Sequence, residues 1–156
     1  MDVGMVGLGR MGANMARRLL AGGHRVVLYN RTAERARKLA AETGGQAVDT
    51  LAELAGKLAP PRVAWVMVPA GEPTEAMIEQ LLAVLAPRDI LVDGGNSFYK
   101  DSVRRAALVG EQGLHFVDVG TSGGVWGLHE GYSLMVGGDR EVVQRIRPLL
   151  ETLAPA

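Results

Sequence analysis

Three glycines near the start of the chain, Gly7, Gly9 and Gly12, are spaced as Gly-x-Gly-x-x-Gly. The apolar residues before them predict a strand, and those after them recur at helical spacing. In such a unit the first glycine makes the tight turn, the second lets the backbone approach a pyrophosphate, and the third lets helix and strand pack closely. Glycine-rich turns often only change the direction of the chain, but this context favours phosphate binding. The candidate contact residues are Gly7, Leu8, Gly9, Arg10, Met11 and Gly12.

A second candidate segment, Asn30-Arg31-Thr32, follows the next predicted strand. Sites that bind the ribose 2′-OH of NAD carry an acidic residue here, roughly 20 residues after the glycine turn. This segment has no carboxylate. Arg31 offers a planar cation for a 2′-phosphate, and Asn30 and Thr32 offer neutral hydrogen-bonding groups. The segment predicts NADP as the cofactor, with NAD as the alternative; in a purely structural interpretation, Thr32 caps a helix and Arg31 is solvated.

A third polar segment, Asp93-Gly94-Gly95-Asn96-Ser97, lies between a predicted strand and a predicted helix. Its two glycines permit an unusual backbone path that could carry Asn96 to the edge of the sheet. There the Asn96 amide can both donate and accept hydrogen bonds. Taken alone, the segment is better explained as a turn in which Ser97 caps the next helix.

Short β-branched segments alternate with helical patterns along the whole chain. This order predicts an α/β, Rossmann-like, doubly wound and mainly parallel sheet with helices on both faces. Ligands of such folds bind beyond the carboxyl ends of the strands, where we expect every glycine-rich segment to lie. Thr50 with Glu53 predicts a capping box, and Asp139 predicts the start of a final helix that continues through Leu150. The methionine and leucine stripes are assigned to the core, with no ligand role.

The amino-acid composition excludes several classes of protein. The 156 residues carry 17 Lys and Arg against 17 Asp and Glu, which argues against bulk attraction to nucleic acid or an anionic membrane. The absence of Cys excludes disulfides, zinc–thiolate sites and thiol catalysis. No apolar segment approaches the roughly 18 residues of a membrane span, and the start lacks the basic segment of a secretion signal. We therefore expect one cytoplasmic domain over residues 1–156, with no metal site.

Two further glycine-rich segments, residues 119–127 and 131–138, lie near the C-terminal end of the chain. With the Asp-Gly-Gly-Asn-Ser segment and the N-terminal turn, they make the chain resemble the 6-phosphogluconate dehydrogenases, and most closely the shorter members of that family. The resemblance covers essentially the whole chain. It implies an oxidoreductase of the pentose phosphate pathway, which oxidises a hydroxyl of 6-phosphogluconate by hydride transfer to NADP and then decarboxylates the keto acid to ribulose 5-phosphate.

The same resemblance implies roles for individual residues. Asn96 would contact both substrate and nicotinamide, and Arg31 with its neighbours would hold the 2′-phosphate. The longer enzymes carry an acidic pair where Val125 and Trp126 stand here, whereas the shorter relatives share this version and some use NAD with an acidic residue at the Asn30 position. The remaining implied contacts are those with substrate, at Ser122, Gly123 and Gly124, and those near the cofactor ribose and nicotinamide, at Val68, Pro69 and Ala70.

The resemblance also implies that the catalytic residues lie outside this chain. The family takes its general base, a Lys, and its general acid, a Glu, from helices that follow this domain. Lys38, Lys57 and Lys100 stand in no matching context, and a solvated Lys with a pKa near 10 is a poor base. His129 lies in the glycine-rich loop, where it could approach substrate. We expect a cofactor-binding half without turnover, whose helical catalytic and dimerisation domain is absent and whose full-length form is a homo-oligomer.

Two other functions fit parts of the sequence. The β-hydroxyacid dehydrogenases, such as 3-hydroxyisobutyrate dehydrogenase, share the fingerprint and the Ser-Gly-Gly loop, but usually have Ser-Thr in the region of Asn96. A non-catalytic dinucleotide-binding or redox-sensing module fits the missing base, but it has little use for Asn96 or for the Ser122-Gly123-Gly124 segment. Asn96 therefore favours a phosphorylated sugar acid as the substrate.

Overall fold

The computed structural model describes residues 1–156 as alternating strands and helices. The elements in the first half are β1 (Asp2–Val6), α1 (Arg10–Ala21), β2 (Arg25–Tyr29), α2 (Ala33–Thr43), β3 (Gln46–Ala47), α3 (Leu51–Lys57), β4 (Val63–Val66) and α4 (Glu72–Leu82). They are followed by β5 (Ile90–Asp93), α5 (Tyr99–Glu111), β6 (His115–Ser122), a 3-10 turn (Gly124–Trp126), α6 (Gly127–Glu130), β7 (Ser133–Gly137), α7 (Arg140–Arg145) and α8 (Arg147–Leu153).

The strands form one sheet in the order β3-β2-β1-β4-β5-β6-β7. The first six run parallel, and β7 pairs antiparallel with β6. This is the strand order of a Rossmann fold with one added edge strand, so the predicted fold class is confirmed. The order reverses between β1 and β4, and the crevice above their carboxyl ends is where such sheets bind ligands.

Both faces of the sheet are covered, as predicted. Every residue of β4 is buried, because its alternate side chains point to opposite faces. Val63 and Trp65 join the core under α1, α2, α7 and α8, whereas Ala64 and Val66 join the core under α3, α4 and α5. The sheet is therefore a rigid platform for the loops at its carboxyl edge. None of the helices is long and apolar enough to span a bilayer.

Helix ends agree with some of the predicted caps and correct others. Thr50 accepts the Glu53 N–H at 3.1 Å, and Asp139 accepts the Glu141 N–H at 3.0 Å, as predicted. Thr32 lies at the N-cap of α2 but makes no capping hydrogen bond. The predicted single final helix was wrong, because it divides at Ile146 into α7 and α8, next to Pro148, which lacks a backbone donor.

The expectation that every glycine-rich segment lies at the carboxyl edge was also wrong. Gly137 ends the antiparallel strand β7, and Gly138, which follows it, lies against Phe116 and Val117 near the start of β6. An antiparallel strand ends at the opposite edge from its parallel neighbours. The glycine-rich segments that follow β1, β5 and β6 do lie at the carboxyl edge, so only these can share a site.

Candidate functional site

The glycine turn after β1 needs two of its glycines for packing and leaves the third open. Gly7 has φ +98°, and a Cβ there would lie 2.4 Å from the Met67 carbonyl oxygen. A Cβ on Gly12 would lie 2.2 Å from the Gly7 carbonyl oxygen, so α1 packs directly on the turn. No atom lies within 4 Å of a Cβ placed on Gly9. The space in front of Gly9 is therefore available to a ligand.

The start of α1 presents backbone donors to this space. The Ala13 N–H donates to the Gly9 carbonyl at 2.8 Å, which leaves the N–H groups of Arg10, Met11 and Gly12 without an acceptor inside the helix. No side chain caps this terminus, and its first turn holds no acidic residue. Free donors and the positive end of the helix dipole together favour an anion such as a pyrophosphate.

A cavity of about 570 Å³ extends from this turn toward the end of β2. Its volume falls within the range of small-molecule sites, about 300–1,000 Å³. It contains one cation, Arg31, and no carboxylate. The lining residues are Gly7, Leu8, Gly9, Tyr29, Asn30, Arg31, Met67, Val68, Pro69, Pro73, Ala76, Met77 and Gln80.

Asn30 and Arg31 have different parts in this cavity. Asn30 Oδ1 accepts the Leu8 N–H at 2.9 Å and Asn30 Nδ2 donates to the Thr32 carbonyl at 3.2 Å, so its amide holds the two loops together. The guanidinium of Arg31 is exposed and has no ion-pair or hydrogen-bond partner in the domain. Arg31 is thus free to bind a phosphate at the mouth of the cavity.

A second, smaller cavity of about 280 Å³ lies on the other side of the glycine turn. It shares Gly9 and the Met67–Pro69 segment with the larger one, so the two form one continuous cleft across the start of α1. The lining of the smaller cavity consists of Gly9, Met11, Gly12, Met67, Val68, Pro69, Gly94, Gly95 and Asn96.

Asn96 stands at the far end of this cleft in the left-handed conformation, with φ 56°. Its Nδ2 donates to the Thr121 carbonyl at 3.0 Å, and its Oδ1 accepts the Thr121 N–H at 2.8 Å. The side chain therefore lies at the sheet edge and both donates and accepts, as the segment predicted. Because these bonds reach the end of β6, Asn96 links the cleft to the loop that follows Ser122.

Several predicted site residues line neither cavity. Ser122 ends β6 and Gly124 begins the 3-10 turn, and the Ser122 side chain is exposed. Arg10, Thr32 and Ala70 are exposed around the rim. Ser97 does not cap α5, which begins at Tyr99; its hydroxyl donates to Asp93 Oδ2 at 2.5 Å instead.

The structure adds cleft residues that the sequence did not predict. Met77 packs against the core, as its stripe predicted, but it also lines the larger cavity. Met67 follows β4, which ends at Val66, and it lines both cavities. Periodicity alone gives no signal for either, because it identifies a buried face and not a cavity within that face. No Lys or His lines the cleft, and His129 borders a separate groove beside Arg18.

A buried network of charges supports the loops of the cleft. Arg105 is 1% exposed and donates to Glu75, Asp93, Ser97 and the Gly71 carbonyl. The hydrogen bonds from Arg104 and Arg105 lower the pKa of Glu75 to about 2. Burial, together with the nearby Asp93 carboxylate, raises the pKa of Asp118.

Because the pKa of Glu75 is low, its contribution to the stability of the domain depends on pH. Its folded-state pKa lies below the unfolded value of 4.5, so the stabilisation is fully present above about pH 5 and is lost as pH falls toward 2. We expect Glu75→Gln to lower the free energy of unfolding at pH 7 by about 1–2 kcal/mol, with a difference that shrinks toward pH 2. Urea unfolding at several pH values measures this, with the exposed Glu79→Gln on the same helix as the control. A pH-independent difference would contradict it.

The strand order, the open glycine turn and the continuous cleft define a dinucleotide-binding Rossmann domain. Residues 2–156 match the family described as the NAD binding domain of 6-phosphogluconate dehydrogenase. The chain therefore belongs to this family of NAD(P)-binding oxidoreductase domains. An NAD(+)-dependent, decarboxylating 6-phosphogluconate dehydrogenase of Haloferax volcanii is 40% identical over 99% of this chain and 50% of its own length. The NADP(+)-dependent, decarboxylating enzyme of Bacillus subtilis is 38% identical over 98% of this chain and 33% of its own.

Solved structures show the same fold. Plasmodium falciparum 6-phosphogluconate dehydrogenase superposes with a TM-score of 0.93 at 30% identity, over all of this chain and 34% of its own. Mycobacterium tuberculosis 3-hydroxyisobutyrate dehydrogenase superposes with a TM-score of 0.87, also at 30% identity, over 98% of this chain and 52% of its own. The chain therefore spans between a third and about half of the length of these relatives.

Proposed function

We propose that this chain binds NADP and forms the cofactor side, and part of the substrate side, of a decarboxylating 6-phosphogluconate dehydrogenase. The observation that carries the proposal is the continuous cleft, which begins at the unpaired Arg31, passes the open backbone of Gly9 and ends at Asn96. A phosphate-binding cation at one end and a polar amide at the other match the two ends of a phosphorylated dinucleotide.

Each part of the cleft has a distinct task in this proposal. The free N–H groups of Arg10, Met11 and Gly12 bind the pyrophosphate, and Arg31 binds the 2′-phosphate. Met11 and the Met67–Pro69 segment line the smaller cavity and offer apolar contacts to the cofactor. NADP, when bound there, supplies a hydride acceptor.

On the substrate side, Asn96 binds the sugar acid together with the Ser122 hydroxyl and the backbone of Gly123 and Gly124. The likeness to 3-hydroxyisobutyrate dehydrogenase leaves a β-hydroxyacid as the second candidate substrate. Asn96 favours the phosphorylated sugar acid, because its amide keeps one N–H and one oxygen lone pair beyond the two bonds to Thr121, and these can bind a polyhydroxy chain. A panel of both substrates with the full-length enzyme separates the two.

The general base and acid of the reaction come from a helical domain outside residues 1–156, which also forms the homo-oligomer. Within the domain, Lys38, Lys57 and Lys100 all lie away from the lining of the cleft. The domain alone therefore binds the dinucleotide and 6-phosphogluconate without converting them.

Calorimetric titration of the domain with NADPH and NADH tests the proposal. We expect NADPH to bind at least tenfold more tightly, a difference of about 1.4 kcal/mol, because Arg31 meets the additional phosphate. With NADP and 6-phosphogluconate we expect no NADPH formation near ordinary enzyme rates, about 1–1,000 s⁻¹. Tighter NADH binding would refute the cofactor assignment, and turnover at such rates would refute the external base.

A further inference from the structure

Arg105 is the one buried cation next to the cleft, yet it lines neither cavity. Its Nε donates to Glu75 Oε1 at 2.5 Å and its Nη2 to the Gly71 carbonyl at 3.2 Å. Its Nη1 donates to Ser97 Oγ at 2.8 Å and approaches Asp93 Oδ2 at 3.4 Å. A guanidinium holds its donors in a rigid plane, so these acceptors are fixed relative to one another.

The acceptors stand at the ends of two different loops. Gly71 and Glu75 begin α4, directly after the Met67–Pro69 wall of the smaller cavity. Asp93 and Ser97 flank the Gly94–Asn96 segment, which forms the adjacent wall. Arg105 therefore joins the two walls of the smaller cavity from behind and sets their separation.

The two walls are in close contact, so their separation has little freedom. A Cβ on Gly95 would lie 2.7 Å from the Val68 carbonyl oxygen, and a Cβ on Gly94 would lie 2.4 Å from Met67 Sδ. Asp93 Oδ1 accepts the Gly95 N–H at 3.0 Å, which ties the backbone that precedes Asn96 to the same carboxylate. A change at Arg105 is thus transmitted to the cavity through short, polar contacts.

We propose that Arg105 is a positioning residue for the nicotinamide end of the bound dinucleotide, acting through Asp93 and Ser97 on the loop that carries Asn96. The proposal rests on the proposed function, in which the larger cavity holds the adenosine end and the smaller cavity the nicotinamide end. Arg105 then affects one end of the ligand and leaves the other unchanged.

Two ligands distinguish positioning from general support of the fold. NADPH occupies both cavities, whereas 2′-phosphoadenosine 5′-diphosphoribose lacks the nicotinamide ring. For Arg105→Lys, which keeps the charge but loses the fork, we expect about tenfold weaker binding of NADPH, or about 1.4 kcal/mol. Binding of the ring-less ligand should change by less than twofold.

Two further variants complete the experiment, with thermal unfolding of each measured in parallel. Ser97→Ala removes one acceptor without leaving a buried charge unpaired, so it tests the proposal if Arg105→Lys does not fold. For Ser97→Ala we expect about threefold weaker binding of NADPH and unchanged affinity for the ring-less ligand. Arg104→Lys is the control, because Arg104 is exposed and shares Glu75 with Arg105 but makes no contact with the Asn96 loop. It should alter neither affinity.

The outcomes divide cleanly. Selective loss of NADPH affinity in Arg105→Lys and Ser97→Ala supports the positioning role. Equal loss for both ligands, or no loss for either, overturns it, because the network would then only stabilise the domain. If the unmodified domain binds NADPH no more tightly than the ring-less ligand, the positioning role of Arg105 is overturned, whereas the NADP site is still supported. Failure to bind either ligand overturns the proposed function itself.

Discussion

Alanine at Gly9 is expected to abolish most dinucleotide binding while the domain stays folded, whereas alanine at Gly12 is expected to destabilise the domain. A Cβ on Gly9 meets no protein atom within 4 Å, and the backbone there has φ −64°, which alanine adopts freely. The methyl group would instead occupy the space in front of the free N–H groups. We expect a loss of about 2–3 kcal/mol, or roughly 30- to 150-fold in affinity.

The Gly12→Ala variant reports on packing. Its Cβ would lie 2.2 Å from the Gly7 carbonyl oxygen, an obstacle that cannot rotate away. Separating α1 from the turn is expected to cost about 3 kcal/mol in the free energy of unfolding. Gly56→Ala in α3, where no atom lies within 4 Å, is the control and should be neutral or slightly stabilising. Denaturant unfolding and calorimetric titration measure both effects, and a fully stable Gly12→Ala domain would contradict the packing described here.

Removing the guanidinium of Arg31 is expected to weaken NADPH binding and to leave NADH binding unchanged. A charge-assisted contact to the 2′-phosphate is worth about 1.5–3 kcal/mol, so Arg31→Ala should lose roughly 10- to 150-fold in NADPH affinity. NADH lacks that phosphate and meets no carboxylate in the lining of the cavity. The preference for NADPH should also decrease with salt, since Arg31 is exposed.

Arg37→Ala is the matched control for this prediction. Arg37 is exposed on α2, pairs with Asp49 at 3.1 Å and lies outside both cavities. It should change neither affinity. If Arg31→Ala weakens NADPH and NADH equally, Arg31 supports the loop and does not select the cofactor.

The local parts of the site could be predicted because each depends on residues that are close in sequence. The glycine turn is a steric requirement of one strand–turn–helix unit, and Gly7 and Gly12 meet it through contacts with that unit and with Met67. The position of Asn96 at the sheet edge follows from the end of β5 and the glycines before it. The alternation of elements was sufficient to predict a parallel, doubly wound sheet, because crossover connections are right-handed.

Other features depended on residues that are distant in sequence. Arg105 lies in a helix rich in charged residues, and only the packing of α5 beside α4 and the end of β5 buries it against Glu75 and Asp93. Met77 could not be separated from the core stripe without the position of α4 over the cleft. β7 pairs antiparallel with β6, and the periodicity of its own residues does not indicate the direction of the strand.

The amino-acid sequence by itself determined the alternation of strands and helices, the backbone turn for a pyrophosphate and the absence of a carboxylate at the end of β2, because backbone sterics and hydrophobic periodicity act over a few residues. Only the tertiary structure decided that the Asn96 amide reaches Thr121, that the two cavities join at Gly9 and that Arg105 lies buried behind them. These arrangements require segments far apart in the chain to meet, and burial makes each charge and amide in them find a specific partner.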